Sequence, residues 1–238
     1  MRLIVGGVYT SLFKVAGVEQ ATTVSPFYLD IYPVTNAQYE AFVQANRRWR
    51  RSQVSPLLAD VAYLHHWRAD VPLPEVAAAL AQRPVTYVSW FAARAYCRWQ
   101  QKRLPSSAEW ELVALASETA PDGRKDPGYQ ARLLEWYTLP APAVPLPIGS
   151  GQKNYWGIFD LHGSIWEWVA DFQTAFGTDA ARGDKEADSD RFCGFGAFAV
   201  SAQERVNYPA LMRDAYRSSL QGSYTLHNLG FRCAKELP

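Results

Sequence analysis

The chain has 238 residues, 48% of them apolar and 20% charged, enough apolar material for a sizeable core and too ordinary a charge content for general disorder. Its 24 basic and 23 acidic side chains leave a formal net charge of +1, so it lacks the electrostatic footprint of a nucleic-acid binder. No run approaches the roughly 18 consecutive apolar residues of a membrane span, and the opening MRLIVGGVYTSLF, broken by Gly6 and Gly7, does not read as a secretory leader. The unusual feature is aromatic content, 9 Trp, 13 Tyr and 11 Phe, which implies either an aromatic core or an aromatic-lined binding surface.

Along the chain, Leu3-Ile4-Val5 and Val8-Tyr9-Thr10 read as strands around the Gly6-Gly7 turn, and residues 22–31 as a second extended run rich in β-branched and aromatic residues. Thr35 or Asn36 is placed to cap a helix in which Tyr39, Phe42 and Val43 share one face. The basic run Arg47, Arg48, Arg50 and Arg51 around Trp49 is either a solvated helix end or a patch for an acidic partner. Residues from about 50 to 84 read as irregular, with Pro72, Pro74 and Pro84. His65 and His66 are adjacent, and neighbours on a helix do not share a face, so they make a poor metal site.

Ser89 caps a helix from Trp90 to about Gln101. Pro105 opens the next helix in an early position, with Ser106 and Glu109 as a capping box and Trp110, Val113, Ala114 and Ala116 as the apolar face. The Pro-rich stretch 139–147 reads as an internal loop. The last third shows few long helical patterns and is punctuated by Gly194, Gly196, Gly222 and Gly230. Helices early and short strands with long loops late predict an α+β fold. Three cysteines, Cys97, Cys193 and Cys233, allow at most one internal disulfide and leave a thiol over.

Four segments, taken together, resemble the sulfatase-modifying-factor, or formylglycine-generating-enzyme-like, family. They are Ser25 through Tyr39; Pro84 through Cys97 with Lys102-Arg103-Leu104-Pro105-Ser106-Ser107-Ala108-Glu109-Trp110-Glu111; Asn154 through Val169; and Asn228-Leu229-Gly230-Phe231-Arg232-Cys233-Ala234. The resemblance covers nearly the whole chain and implies one domain, 1–238, with an irregular α+β fold related to C-type lectins. It implies a structural calcium held by the side chains of Asp160 and Glu167 and the carbonyls of Gly163 and Ile165. It also implies a disulfide between Cys97 and Cys233, and with it an oxidising compartment: periplasmic or secreted after signal removal, with the cytoplasm as the alternative.

The catalytic relatives hold copper with two cysteines five residues apart. Counting back from Arg232 places those positions at Glu204 and Pro209, and neither can supply the soft sulfur ligands that copper(I) needs. The parent oxidation of a substrate cysteine is therefore not expected. Two readings follow. One is a binding or accessory module for a protein or peptide, as in cysteine-poor members that resemble accessory proteins of bacterial copper enzymes such as nitrite reductase. The other is an oxidoreductase with a different copper or iron site, since family branches include iron-dependent sulfoxide synthases and a pyoverdine-tailoring protein. The candidate residues are Cys193, Glu204, Arg213, Asp214, Tyr216 and Arg217; for Arg213, Asp214 and Arg217 the spacing favours a core ion-pair network.

Overall fold

Short strands draw the two ends of the chain together. The computed structural model describes residues 1–15, 18–140, 142–172 and 202–237, with the backbone alone at 11–15, 18–20, 202–208 and 211. Strands β1 (Arg2–Ile4), β2 (Gly7–Val15), β3 (Val18–Val24) and β4 (Phe27–Leu29) follow one another at the start. Late in the chain come β5 (Trp166–Glu167), β6 (Leu229–Gly230) and β7 (Ala234–Glu236). β1, β4 and β7 form an antiparallel sheet in that order, with Ile4 opposite Phe27 and Leu29 opposite Ala234. Those four side chains are fully buried, and Tyr28 between Phe27 and Leu29 is only half-buried, so one face of the sheet packs inward. The extended run at 22–31 is split at Ser25-Pro26 between two sheets, because β2 and β3 form their own hairpin. Gly6 makes the sharp turn between β1 and β2: its φ is +76°, and a Cβ there would sit 2.3 Å from the Val24 carbonyl oxygen.

The helices begin where their caps place them. α1 (Asn36–Ala45) opens on a Thr35–Gln38 capping box and buries Tyr39, Phe42 and Val43. α2 (Pro74–Leu80) is a short helix within the stretch expected to be irregular. α3 (Trp90–Trp99) is capped by Ser89, and α4 (Ser107–Ala114) by the Ser106–Glu109 box. Pro105 precedes that cap and lies outside the helix it was expected to open. α5 (Pro127–Thr138) starts on an Asp126 cap with proline at its first position. In the last third, α6 (Ala202–Ser218) is a long helix that the sequence reading did not place, and it accommodates Pro209 in its interior. Proline costs a helix one backbone hydrogen bond. Here the buried residues Pro209, Arg213 and Arg217, spaced four apart, lie on the face that packs inward.

The aromatic residues build the core. Trp49, Trp67, Trp110 and Trp168 are buried, and Tyr39, Phe42, Tyr96 and Phe231 pack with ring centroids 5.3–6.1 Å apart. Among the described residues no helix is long and apolar enough to cross a membrane. Cys97 at the end of α3 and Cys233 before β7 are joined by a disulfide with a Cα–Cα distance of 5.7 Å, closing a separation of 136 residues. In the chain-entropy account a loop of this length is worth roughly 3–5 kcal/mol. Reduction, or the double substitution Cys97→Ala/Cys233→Ala, is predicted to lower thermal stability at about 2–4 °C per kcal/mol. A melting curve unchanged by reductant would show the crosslink to be energetically idle.

Candidate functional site

The inner face of α6 meets α4 at one carboxylate. The capping box fixes the start of α4, and its next turn carries Trp110 and Glu111 into the interior. Arg213 grips Glu111 with Nε at 2.9 Å and Nη2 at 2.6 Å, and Arg217 adds Nη1 at 2.7 Å. The ring of Trp110 lies under both guanidiniums, 5.5 and 4.8 Å from its centroid. Burial alone would raise the Glu111 pKa, but the two arginines hold it well below the usual carboxylate range. Asp214 has the opposite balance: burial, with the Glu111 charge beside it, lifts its carboxyl to about 7, although Arg217 stands 3.8 Å away.

From Arg213 the contacts run on in one direction. Its Nη1 donates to the Tyr137 hydroxyl at 3.0 Å, and that hydroxyl lies 3.3 Å from Nδ1 of His162. Nε2 of His162 is 2.9 Å from the carbonyl oxygen of Ala114, which also accepts from the Tyr129 hydroxyl at 2.7 Å. A carbonyl can only accept, so His162 carries its proton on Nε2 and Nδ1 accepts from Tyr137. Burial, reinforced by Arg213, pushes the His162 pKa down to about 3, which keeps the ring neutral. Chemically the set is locked. The guanidiniums hold their protons, Glu111 is a spent acceptor, and both His162 nitrogens are engaged, so the network positions α6 and offers no proton-transfer pair.

The structure separates the candidate residues. Arg213, Asp214 and Arg217 form the ion-pair network with Glu111. Tyr216 faces elsewhere: its ring stacks on Trp166 at 4.2 Å, and its buried hydroxyl has no partner among the described residues. Cys193 lies outside the described residues, and Glu204 is described by its α6 backbone alone. Pro209 is buried beside a small cavity of about 30 Å³ bordered by Leu115, Tyr129, Ala210 and Arg213. The positions counted back as 204 and 209 lie on one α-helix, where residues five apart project in different directions. Neither their chemistry nor their spacing recreates a two-thiolate copper site.

The residues expected to hold calcium do not fit that ion as they stand. Both oxygens of Asp160 accept backbone N–H groups, from Gly149 at 2.5 Å and Gly151 at 3.1 Å. Glu167 is fully engaged: Arg232 donates to both oxygens at 2.8 Å, and Trp110 Nε1 donates to Oε2 at 2.8 Å. The Glu167 carboxylate is thus already neutralised by a guanidinium and is not free to lead a hard-oxygen set. Trp136 covers the same loop, stacking on His162 and packing against Gly163, where a Cβ would lie 3.2 Å from the indole. Gly163 and Ile165 keep their places in the turn before β5. Among the described residues, which include all four histidines, no three His, Cys, Asp or Glu side chains gather as a metal site.

Sequence reasoning missed Glu111, Tyr137 and His162 as partners of α6. Glu111 stood inside the Trp110-Glu111 signature, but its arginines follow more than 100 residues later. Tyr129, Leu133, Trp136 and Tyr137 do carry a helical spacing that marks α5.

A model of the sulfatase-modifying factor enzyme 1-like domain matches residues 2–237. The formylglycine-generating enzyme of Streptomyces coelicolor is 30% identical over 251 residues, covering 89% of this chain and 78% of that protein. The mouse protein named inactive C-alpha-formylglycine-generating enzyme 2 is 28% identical over 257 residues, covering 92% and 78%. The structure of PvdO from Pseudomonas aeruginosa superposes with a TM-score of 0.53 at 19% identity, covering 99% of this chain and 93% of that one, a likeness of fold.

Two outcomes test this site. Asp214 has a raised folded pKa, so its stabilising contribution is complete below its unfolded value near 4 and is lost as pH rises through about 7. Asp214→Asn is therefore predicted to match the wild-type melting temperature at acid pH and exceed it at pH 8. An equal pH dependence in both proteins would refute the assignment. Calcium in 100-fold excess over its dissociation constant would stabilise a bound site by about 2.7 kcal/mol. Melting in excess calcium or in EDTA is predicted to be the same, and a gap of several degrees would restore the calcium site.

Proposed function

Because the chain belongs to the sulfatase-modifying factor enzyme 1-like family, we propose that it is a binding or accessory module that keeps the family scaffold without the parent cysteine oxidation. One observation carries this reading: two of the three cysteines are consumed in the Cys97–Cys233 crosslink, leaving a single thiol where dithiolate copper chemistry needs two. The place counted for the missing pair is occupied by α6, clamped by Arg213 and Arg217 onto Glu111. Identity to relatives does not decide the matter, since one named as an active enzyme and one named as inactive stand at 30% and 28%. The inventory of thiols is what supports the non-catalytic reading.

The ligand of such a module is a protein or peptide, in keeping with the family's dealings with polypeptide substrates. The crosslink supports a home in an oxidising compartment, the periplasm or the exterior. The test is incubation of the purified chain with copper(I), oxygen, a thiol reductant and a cysteine-containing sulfatase peptide, read by mass spectrometry. No aldehyde product above background is expected, with the Streptomyces coelicolor enzyme as the positive control. Aldehyde formed by the wild type and lost in Cys193→Ser would overturn the proposal and establish single-thiol oxidase chemistry.

A further inference from the structure

The turn after α1 carries charge that the fold itself does not use. Arg47, Arg48, Arg50 and Arg51 surround Trp49, and no acidic residue lies between Glu40 and Asp60. Trp49 anchors the turn: it is buried, its ring packs 6.3 Å from Phe42, and its carbonyl accepts from the Tyr63 hydroxyl at 3.0 Å. With the tryptophan fixed inward, Arg47 and Arg48 are exposed and Arg50 and Arg51 half-buried. The Arg48 guanidinium lies over the Trp49 ring at 5.5 Å, which restrains it before any ligand arrives.

Six arginines elsewhere have carboxylate partners, whereas Arg2, Arg68, Arg83, Arg94 and Arg98 stand singly and form no ion pair among the described residues. Arg213, Arg217 and Arg232 are paired in the interior, and Arg103, Arg124 and Arg132 are paired nearer the surface. None of the four in this turn forms an ion pair among the described residues. The acid that feels Arg50 and Arg51 is Asp70, and its oxygens are already taken by the backbone N–H and hydroxyl of Ser52, both at 2.8 Å. A second observation points the same way. Two successive residues of this turn hold buried N–H donors without an acceptor among the described residues, Trp49 Nε1 and Arg50 Nε. A buried donor left unpaired costs about 1–3 kcal/mol, so an acceptor that draws out the half-buried Arg50 side chain would satisfy a donor the fold leaves open, while Trp49 stays fixed inward.

We propose that the Arg47–Arg51 turn is a docking surface for an acidic peptide segment of a partner protein, recognised through closely spaced Asp or Glu carboxylates. This rests on the binding-module reading above and names the chemistry of its partner. The planar guanidinium fork matches a carboxylate in two-point contact, which a lysine cluster would not do. A short acidic segment suits a patch confined to one turn. An extended polyanion does not, because the chain carries a net charge of only +1 and offers no long cationic track.

The experiment is fluorescence anisotropy on the full chain with a labelled peptide of alternating Glu and Gly, against the same peptide with Gln for Glu. Wild type is expected to prefer the Glu peptide by at least about tenfold, and to lose that preference as salt rises from about 50 to about 300 mM. The triple variant Arg47→Gln/Arg48→Gln/Arg51→Gln, shown by its melting curve to be folded, is expected to lose the preference. Arg132→Gln, which removes a surface arginine already paired with Glu118, is expected to keep it. Equal binding by wild type and triple variant, or no preference for Glu over Gln, overturns the docking surface. Tighter binding of an oligo-thymidine strand or of anionic lipid vesicles than of the Glu peptide, abolished by the same variant, overturns the peptide assignment. These results are independent of the oxidase assay. Aldehyde formation with intact peptide binding would remove the non-catalytic reading and leave the surface, whereas no aldehyde and no peptide binding would do the reverse.

Discussion

One buried guanidinium holds the irregular parts of this fold in register. Arg232 is fully buried and spends its donors on Glu167 and on the carbonyl oxygens of Asp30, Ile31 and Phe159. It therefore joins the end of the chain to the segment after β4, to the loop before β5, and through Glu167 and Trp110 to α4. Few of these segments have long ladders of their own. Their geometry is set by side-chain donors meeting backbone acceptors, and each such group is costly to leave unpaired in a dry interior. Removing either member of a pair this deep costs roughly 3–5 kcal/mol, because the survivor is an uncompensated buried charge. The same constraint explains the unsuitability of the loop for calcium: the carboxylate that would lead the coordination already neutralises Arg232.

The second ionic centre repeats the principle with a different result. Glu111 lies between Arg213 and Arg217 and fastens α6 to α4, as Glu167 fastens the C-terminal segment to the same helix. Trp110 serves both, donating its indole N–H to Glu167 and presenting its face to the two arginines. A short capped helix thus orients two successive side chains toward two buried ion pairs. Arg213 and Arg217, candidate site residues from the sequence, serve here as a joint between α6 and α4.

Legibility in the sequence followed the range of the interactions. The starts of α1, α3 and α4 were readable because a cap is a contact between residues three apart. The α+β class and the family resemblance were readable because Trp110-Glu111, Trp166-Glu167-Trp168 and Gly230-Phe231-Arg232 mark packing joints with fixed local spelling. α5 was missed although Asp126-Pro127 is a start signal, because Gly128 and the proline-rich stretch that follows masked it. α6 was missed because Pro209 reads as a breaker until a buried face outweighs its lost bond. The partners of Glu111 were out of reach, since nothing local joins position 111 to positions 213 and 217. Counting back to positions 204 and 209 did not reveal that both lie on one long helix, α6.

The central claim is that this scaffold retains one thiol and therefore cannot present a dithiolate. Alkylation of the unfolded chain before and after reduction, with peptide mapping, tests it most directly. The account predicts one modified cysteine, Cys193, before reduction and all three after it. Free Cys97 and Cys233 in the native protein, or a crosslink that engages Cys193, would contradict it and return a thiol pair to the chemistry of this fold.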